Sequence, residues 1–371
     1  IGPEIRELLG VIRTQELLAA RASDGGEQLF TRANDFGYSK HPDETLAIWN
    51  KDAVLSDVVR AIRTFKPDVI INRFNHRNPG STHGHHTASA MLSFEAFDLA
   101  GDATKFPETA ITHGSWQPKR LLFNTSWWFY GSKEKFEKAD KSNLVSVETG
   151  NYYPALGLSN GEIASLSRSM HKSQGFGSTG SRGKQTEYLE FLKGEFPQDT
   201  TNIFDGINTS WSRIDGGVAI GKVLNPLLDS FNFQDPSTIV PQLVEAYRLL
   251  KDTKQGHWRS IKLKELEELI VACSGVFLEA VANKESINPM GAYTLKVEAI
   301  NRGTDKITLS KITTASGLIL SSKEIALLSN EKENLELEVT SQNKVPSTAY
   351  WLKSKGTLGM YSAPKDLIGL P

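Results

Sequence analysis

Histidine is the residue whose placement points to chemistry. Of the eight histidines in this 371-residue chain, five (His76, His83, His85, His86 and His113) fall between positions 76 and 113. The tight group is Ser81-Thr-His-Gly-His-His-Thr87, with His83 and His86 three positions apart. On a helix that spacing places both side chains on one face of the first turn. Imidazole suits zinc and other late divalent metals, and a helix N-terminus disfavours the imidazolium, keeping a ligand neutral. Metal binding or acid–base catalysis is the chemistry these residues could perform. A solvated polar loop leading into a helix is the plainer alternative.

Three other motifs are discounted on their surroundings. His41-Pro-Asp-Glu44 has the composition of a metal-binding turn, yet proline followed by acids is the ordinary start of a helix. Gly157-Leu-Ser-Asn-Gly161 fits the nucleophile-elbow pattern, but no buried strand precedes it. Ser159 with Glu162 instead makes a capping box. Gly175-Phe-Gly-Ser-Thr-Gly180 matches a dinucleotide fingerprint but follows a helix, where that motif's mechanism does not operate. His171-Lys-Ser-Gln174 stays open between a cationic helix C-terminus and a pocket wall.

The elements that position these residues alternate. Apolar spacing predicts helices over residues 4–21, 52–64 and 86–100, with Asp68–Asn72, Leu121–Asn124 and Leu144–Val147 as strands. The alternation is that of a layered α/β domain, and the His83–His86 group stands at the carboxyl end of a strand, where open α/β sheets bind ligands. Residues 173–186 read as a Gly/Ser loop and 237–283 as helical. From Asn288 onward the period changes to two, predicting an antiparallel β-sandwich or part of one. The expected division is an α/β domain over 1–230, a helical connector over 231–285 and a β-sandwich-like module over 286–371.

Composition bounds the partners. With 42 Lys+Arg against 43 Asp+Glu the chain lacks the basic excess of a nucleic-acid module. One cysteine excludes an internal disulfide framework and a cysteine-based zinc site. No apolar run reaches the length of a membrane span. The expected partner is a small-molecule or glycan substrate.

Five elements in order resemble the PIG-L/LmbE-like zinc-dependent N-acetylglucosamine deacetylases, and within them the large bacterial multidomain subgroup. They are Arg13-Thr-Gln-Glu16, Asp35-Phe-Gly-Tyr38, Pro67-Asp-Val-Ile-Ile71, His83-Gly-His-His86 and His171-Lys-Ser-Gln174. The resemblance covers about residues 1–230 and implies a Rossmann-like layered fold and metal-assisted hydrolysis of an N-acetyl group. It implies His86 as a zinc ligand and His83 as the catalytic histidine that stabilises the oxyanion or protonates the leaving amine. Arg13, Asp35 and His171 are implied around the sugar pocket, and the subgroup implies a periplasmic or extracytoplasmic location. Two departures stand out. The family carries Pro-Asp where this chain has Gly84-His85, and its first strand with His-Pro-Asp-Asp-Glu has no counterpart here. Catalytic zinc needs about three protein ligands, so weak zinc binding and little deacetylase activity are expected. A non-catalytic carbohydrate-binding protein with a degenerate pocket is the competing expectation.

Overall fold

A computed structural model describes residues 6–371. The described part separates into two compact units, one formed by residues up to Ile207 together with Thr348–Pro371, the other by Asn208–Ser347. The helices expected as a connector therefore fall within the second unit, and the last segment of the chain returns to the first.

In chain order the first unit contains α1 (Leu9–Asp24), α2 (Pro42–Trp49), α3 (Lys51–Phe65), β1 (Val69–Asn72), α4 (Gly84–Gly101) and α5 (Pro107–His113). There follow β2 (Arg120–Thr125), α6 (Lys133–Lys138), β3 (Leu144–Glu148), the short pair β4 (Tyr152–Tyr153) and β5 (Leu158–Ser159), α7 (Asn160–Ser169) and β6 (Thr186–Gly194). The four-stranded sheet has the order β1-β2-β6-β3. Strands β1 and β2 are parallel, with Ile70 opposite Leu121, whereas β6 runs antiparallel to both β2 and β3. The unit is thus mixed α/β, with the parallel pair next to the histidine group.

Its core forms because α3 and α4 present complementary faces. Val54, Leu55, Val59 and Ile62 of α3 are buried against Ala88, Leu92, Ala96 and Ala100 of α4. Alanine at three of those four positions keeps that face of α4 low and close to its neighbour. Asn50 caps α3 by accepting from the Ala53 amide, and Lys66 ends it in the left-handed conformation just before Pro67. Arg63, fully buried, secures the far end of α4. Its guanidinium donates to the carbonyls of Leu99, Ala100, Asp102, Lys105 and Phe106 and to Thr109 Oγ1. Four of these five carbonyls also accept a backbone amide, so the guanidinium ties an already formed helix end and turn to α3.

Strand β6 carries no clear signal in the sequence, where only the preceding Gly/Ser loop is legible. Its charged residues dilute the period-two pattern, but tertiary partners take them up. Glu190 accepts from Arg77 through both oxygens at 2.7 Å, Lys193 pairs with Asp98, and Glu187 accepts from Asn124.

The second unit begins with α8 (Gly217–Leu224), α9 (Leu227–Ser230), α10 (Val240–Asp252) and α11 (His257–Cys273). Ile220, Leu243, Ala246, Leu250 and Leu266 form its helical core. Next come β7 (Val276–Ala282), β8 (Ala292–Asn301), β9 (Ile307–Leu309), β10 (Ile312–Thr313), β11 (Ile319–Ser321), β12 (Ile325–Leu327) and β13 (Lys332–Thr340). They make a three-stranded antiparallel sheet, β13-β8-β7, and two two-stranded ribbons. The helical reading of 276–282 is overturned. Gly275, at φ +68°, ends the helical run, and Val276–Ala282 pairs along its length with β8. A turn at Asn301-Arg302-Gly303 follows β8, with Asn301 Oδ1 accepting from the Gly303 amide.

Candidate functional site

The carboxyl end of β1 leads through residues 73–83 into α4, and His83 is the residue just before that helix. His83 is exposed, His86 half-buried, and their rings stack with centroids 5.3 Å apart and planes 8° apart. Phe74 stacks on His86 at 3.8 Å, and Tyr38 meets His83 edge-on at 5.2 Å. The Asp35–Tyr38 and His83–His86 elements thus adjoin in space. Burial holds the His86 imidazole below its ordinary pKa, with the neighbouring His83 and His85 adding to the effect. Both effects favour the neutral ring.

His85 faces elsewhere. It packs on Phe36 and Trp49 with centroids at 4.7 and 5.4 Å, and its Nδ1 lies 3.1 Å from Ser39 Oγ. Burial lowers its pKa as well, and its Nε2 is buried without a partner. The preceding Gly84 has a steric reason: a Cβ there would lie 2.4 Å from the His41 carbonyl oxygen and 2.6 Å from Ser39 Oγ. The Gly84 amide donates to the Ser39 carbonyl at 2.9 Å. Close approach of the 39–41 backbone accounts for glycine where the resembled family has proline. His41 itself is the residue before α2, with Pro42 in the first turn, as its sequence context implies.

Arg13 and Asp35 stand together at a cavity of the same unit. Both line this cavity of about 360 Å³, along with Asn34, Ser173 and Gln174. The Asp35 carboxylate accepts from the Gly37 amide at 2.8 Å, which fixes its loop. Glu16, unassigned by sequence reasoning beyond its place in the Arg13–Glu16 element, connects that element to the His171–Gln174 one. Its buried carboxylate accepts from the Ser173 amide and from Ser173 Oγ, the latter at 2.8 Å, and pairs with Arg13. Burial pushes the Glu16 carboxyl up, but the Ser173 hydrogen bonds and the Arg13 charge together outweigh it and hold it below its ordinary value. A glutamate three residues after an arginine on a helix was the available signal.

His171 lies just beyond α7, beside the cavity-lining Ser173 and Gln174 but outside the lining itself. Burial lowers its pKa, with the Arg13 charge acting in the same direction, and its Nδ1 is buried without a partner. The five expected site residues therefore form two groups: Arg13 and Asp35 at the cavity with His171 next to it, and His83 with His86 on the β1–α4 side. Ser159 belongs to neither. Its Oγ is hydrogen-bonded to Glu162 and the Ser181 carbonyl in the expected capping box at the start of α7.

The donor set does not fit a catalytic zinc. Among the described residues no group of three or more His, Cys, Asp or Glu side chains could hold a metal ion. Catalytic zinc takes about three protein ligands, more than the His83–His86 pair supplies. Among the described residues no helix is long and apolar enough to cross a membrane.

The chain is similar to a mycothiol S-conjugate amidase of Streptomyces coelicolor, at 28% identity over 126 residues. The match spans 32% of this chain and 42% of that protein, so less than half of the relative is represented. No family model and no solved structure matches the chain. The likeness to an amidase supports an amide-hydrolase kind of function and the PIG-L/LmbE-like resemblance at the level of the broad family.

Proposed function

We propose that this protein is an amide hydrolase of small molecules that removes the N-acetyl group from an N-acetylglucosamine-type sugar or conjugate. The observation that carries the proposal is the Arg13–Asp35 cavity. Three segments far apart in the chain meet there, tied by Glu16 to Ser173, and each contains one of the motifs that resemble the deacetylases. The likeness to an amidase supports the reaction class.

Hydrolysis of such an amide adds water across the carbonyl–nitrogen bond, giving acetate and an amine that takes up a proton. In this proposal Arg13 and Asp35 bind and orient the sugar. His83, exposed at the start of α4, supplies a proton to the leaving nitrogen. His86 would be a zinc ligand, but the described residues offer it too few companions, so no step is assigned to a metal. For the same reason this chain binds zinc weakly and hydrolyses slowly. That shortfall also favours the second reading, a carbohydrate-binding protein without catalysis.

The test measures acetate released from N-acetylglucosamine and its conjugates, beside zinc content after dialysis. Slow release that is lost in Arg13→Ala and His83→Ala, with zinc well below one per chain, is expected. Zinc near one per chain overturns the weak-metal assignment. Sugar binding with no acetate release, with or without added zinc, replaces hydrolysis with the binding reading.

A further inference from the structure

One wall of the cavity is built by the C-terminal segment Thr348–Pro371, which supplies Tyr350, Trp351 and Tyr361 to the lining. We infer that this aromatic wall makes the cavity a site for a neutral, hydroxyl-bearing small molecule that also carries a flat apolar group, such as an aryl ring. The inference names the substrate class of the pocket proposed above and rests on that proposal for the cavity's being the substrate pocket.

The wall is preorganised. The Phe30 amide donates to the Gly369 carbonyl, the Asn34 amide to Gly359, and the Tyr361 amide to Arg32, at 2.8–3.1 Å. Met360 enters the core formed by α2, α3 and α4. Gly359 is pressed so close to Ile48 that a Cβ would lie 2.2 Å from its carbonyl oxygen. A segment held this way pays little ordering cost when a ligand arrives.

The rings are arranged edge to face. Tyr350 and Trp351 have centroids 4.9 Å apart at 89°, and Trp351 and Tyr361 6.4 Å apart at 68°. The Tyr350 hydroxyl is engaged by the Leu370 carbonyl at 2.7 Å. The Tyr361 hydroxyl reaches α1 at Gly10, where a Cβ would lie 2.5 Å away. Glycine inside a helix costs about 1 kcal/mol against alanine, and here it leaves room for the Tyr361 hydroxyl. Burial pushes the Tyr361 phenol up to about 12, so it stays neutral.

Polarity at the other end selects the rest of the ligand. The Arg13 charge is already met by Glu16 and that of Arg32 by Asp57, and Asp35 adds a carboxylate, so among the described lining residues an anion finds no free cation. Hydroxyl groups suit Asp35, Asn34 and Gln174, all of which accept or exchange hydrogen bonds. The volume, about 360 Å³, lies within the range of small-molecule clefts.

Calorimetric titration of the whole chain with 4-nitrophenyl N-acetyl-β-D-glucosaminide and with free N-acetylglucosamine tests this. The aryl glycoside is expected to bind about tenfold tighter than the free sugar. Trp351→Leu, apolar but not flat, removes that advantage, and Trp351→Phe retains it. Equal affinity of the two ligands for the wild-type protein overturns the inference. So does a Trp351→Leu protein of unchanged melting temperature that keeps the preference. Should Trp351→Leu fail to fold, the wild-type comparison decides alone. Because binding is what is read, tight aryl-glycoside binding without acetate release overturns the hydrolase proposal and leaves this one standing. Acetate release with no aryl preference does the reverse.

Discussion

Glu16→Gln perturbs the contact that ties α1 to the segment after α7. The wild-type carboxylate accepts two hydrogen bonds from Ser173 and one from Arg13 in a buried setting. A glutamine retains one acceptor oxygen and turns an NH2 group toward donors, so at least one contact is lost together with the charge. Hydrogen bonds to charged groups are each worth about 1.5–3 kcal/mol, and they are not additive within one network, so a loss of about 3 kcal/mol is expected. For a folded unit of this size that corresponds to a fall of about 6–12 °C in melting temperature. The pH dependence follows from the direction of the shift. The folded-state pKa of Glu16 lies below its ordinary 4.5, so its contribution is fully present above pH 4.5. It is lost as pH falls through the folded value. The gap between wild type and Glu16→Gln, followed by circular dichroism, is therefore widest near neutrality and closes in acid. Limited proteolysis across residues 173–186 reads the same contact locally, and cleavage is expected to be faster in the variant. A variant that melts with the wild type at pH 7 and resists proteolysis equally would refute the reasoning.

Two further perturbations probe the frame around the site. Gly84→Ala places a Cβ against the His41 carbonyl and Ser39 Oγ; overpacking of this kind costs about 1–3 kcal/mol. Shifted imidazole proton resonances of His83, His85 and His86 are expected, and an unchanged spectrum rules the contact unimportant. Arg63→Met strips the guanidinium from five carbonyls and Thr109; the loss is about 1.5–3 kcal/mol, the size of a hydrogen bond to a charged group. It is read as a lower urea midpoint. Arg63→Lys restores little, because one ammonium cannot span that set of acceptors.

Much of the first unit was legible because its elements carry their own signals. The apolar stripe of α3, the Pro42 start of α2, the Ser159–Glu162 capping box and the Ile70-centred strand all follow from local spacing and backbone preference. The histidine group was legible as a strand-end cluster, and the division of labour within it was not. His85 turns into a packed aromatic setting while His83 remains exposed, a difference set by Phe36, Trp49 and Ser39 from other parts of the chain. Strand β6 was missed because its charged residues are neutralised by partners distant in sequence. Val276–Ala282 was misread because its apolar residues extend the helical pattern of α11, although Gly275 has already ended that helix.

The amino-acid sequence determined which residue types could do chemistry and which local elements carry them, since helix caps, periodicity and turns depend on near neighbours. Tertiary structure decided which of those residues meet. It brought Arg13 and Asp35 to one cavity, set the stacked His83–His86 pair beside Tyr38 of the Asp35 loop, and walled the cavity with Tyr350, Trp351 and Tyr361. Those encounters depend on long-range packing of the C-terminal segment on the 30–34 loop and of Ser173 on Glu16. No local rule of spacing encodes them.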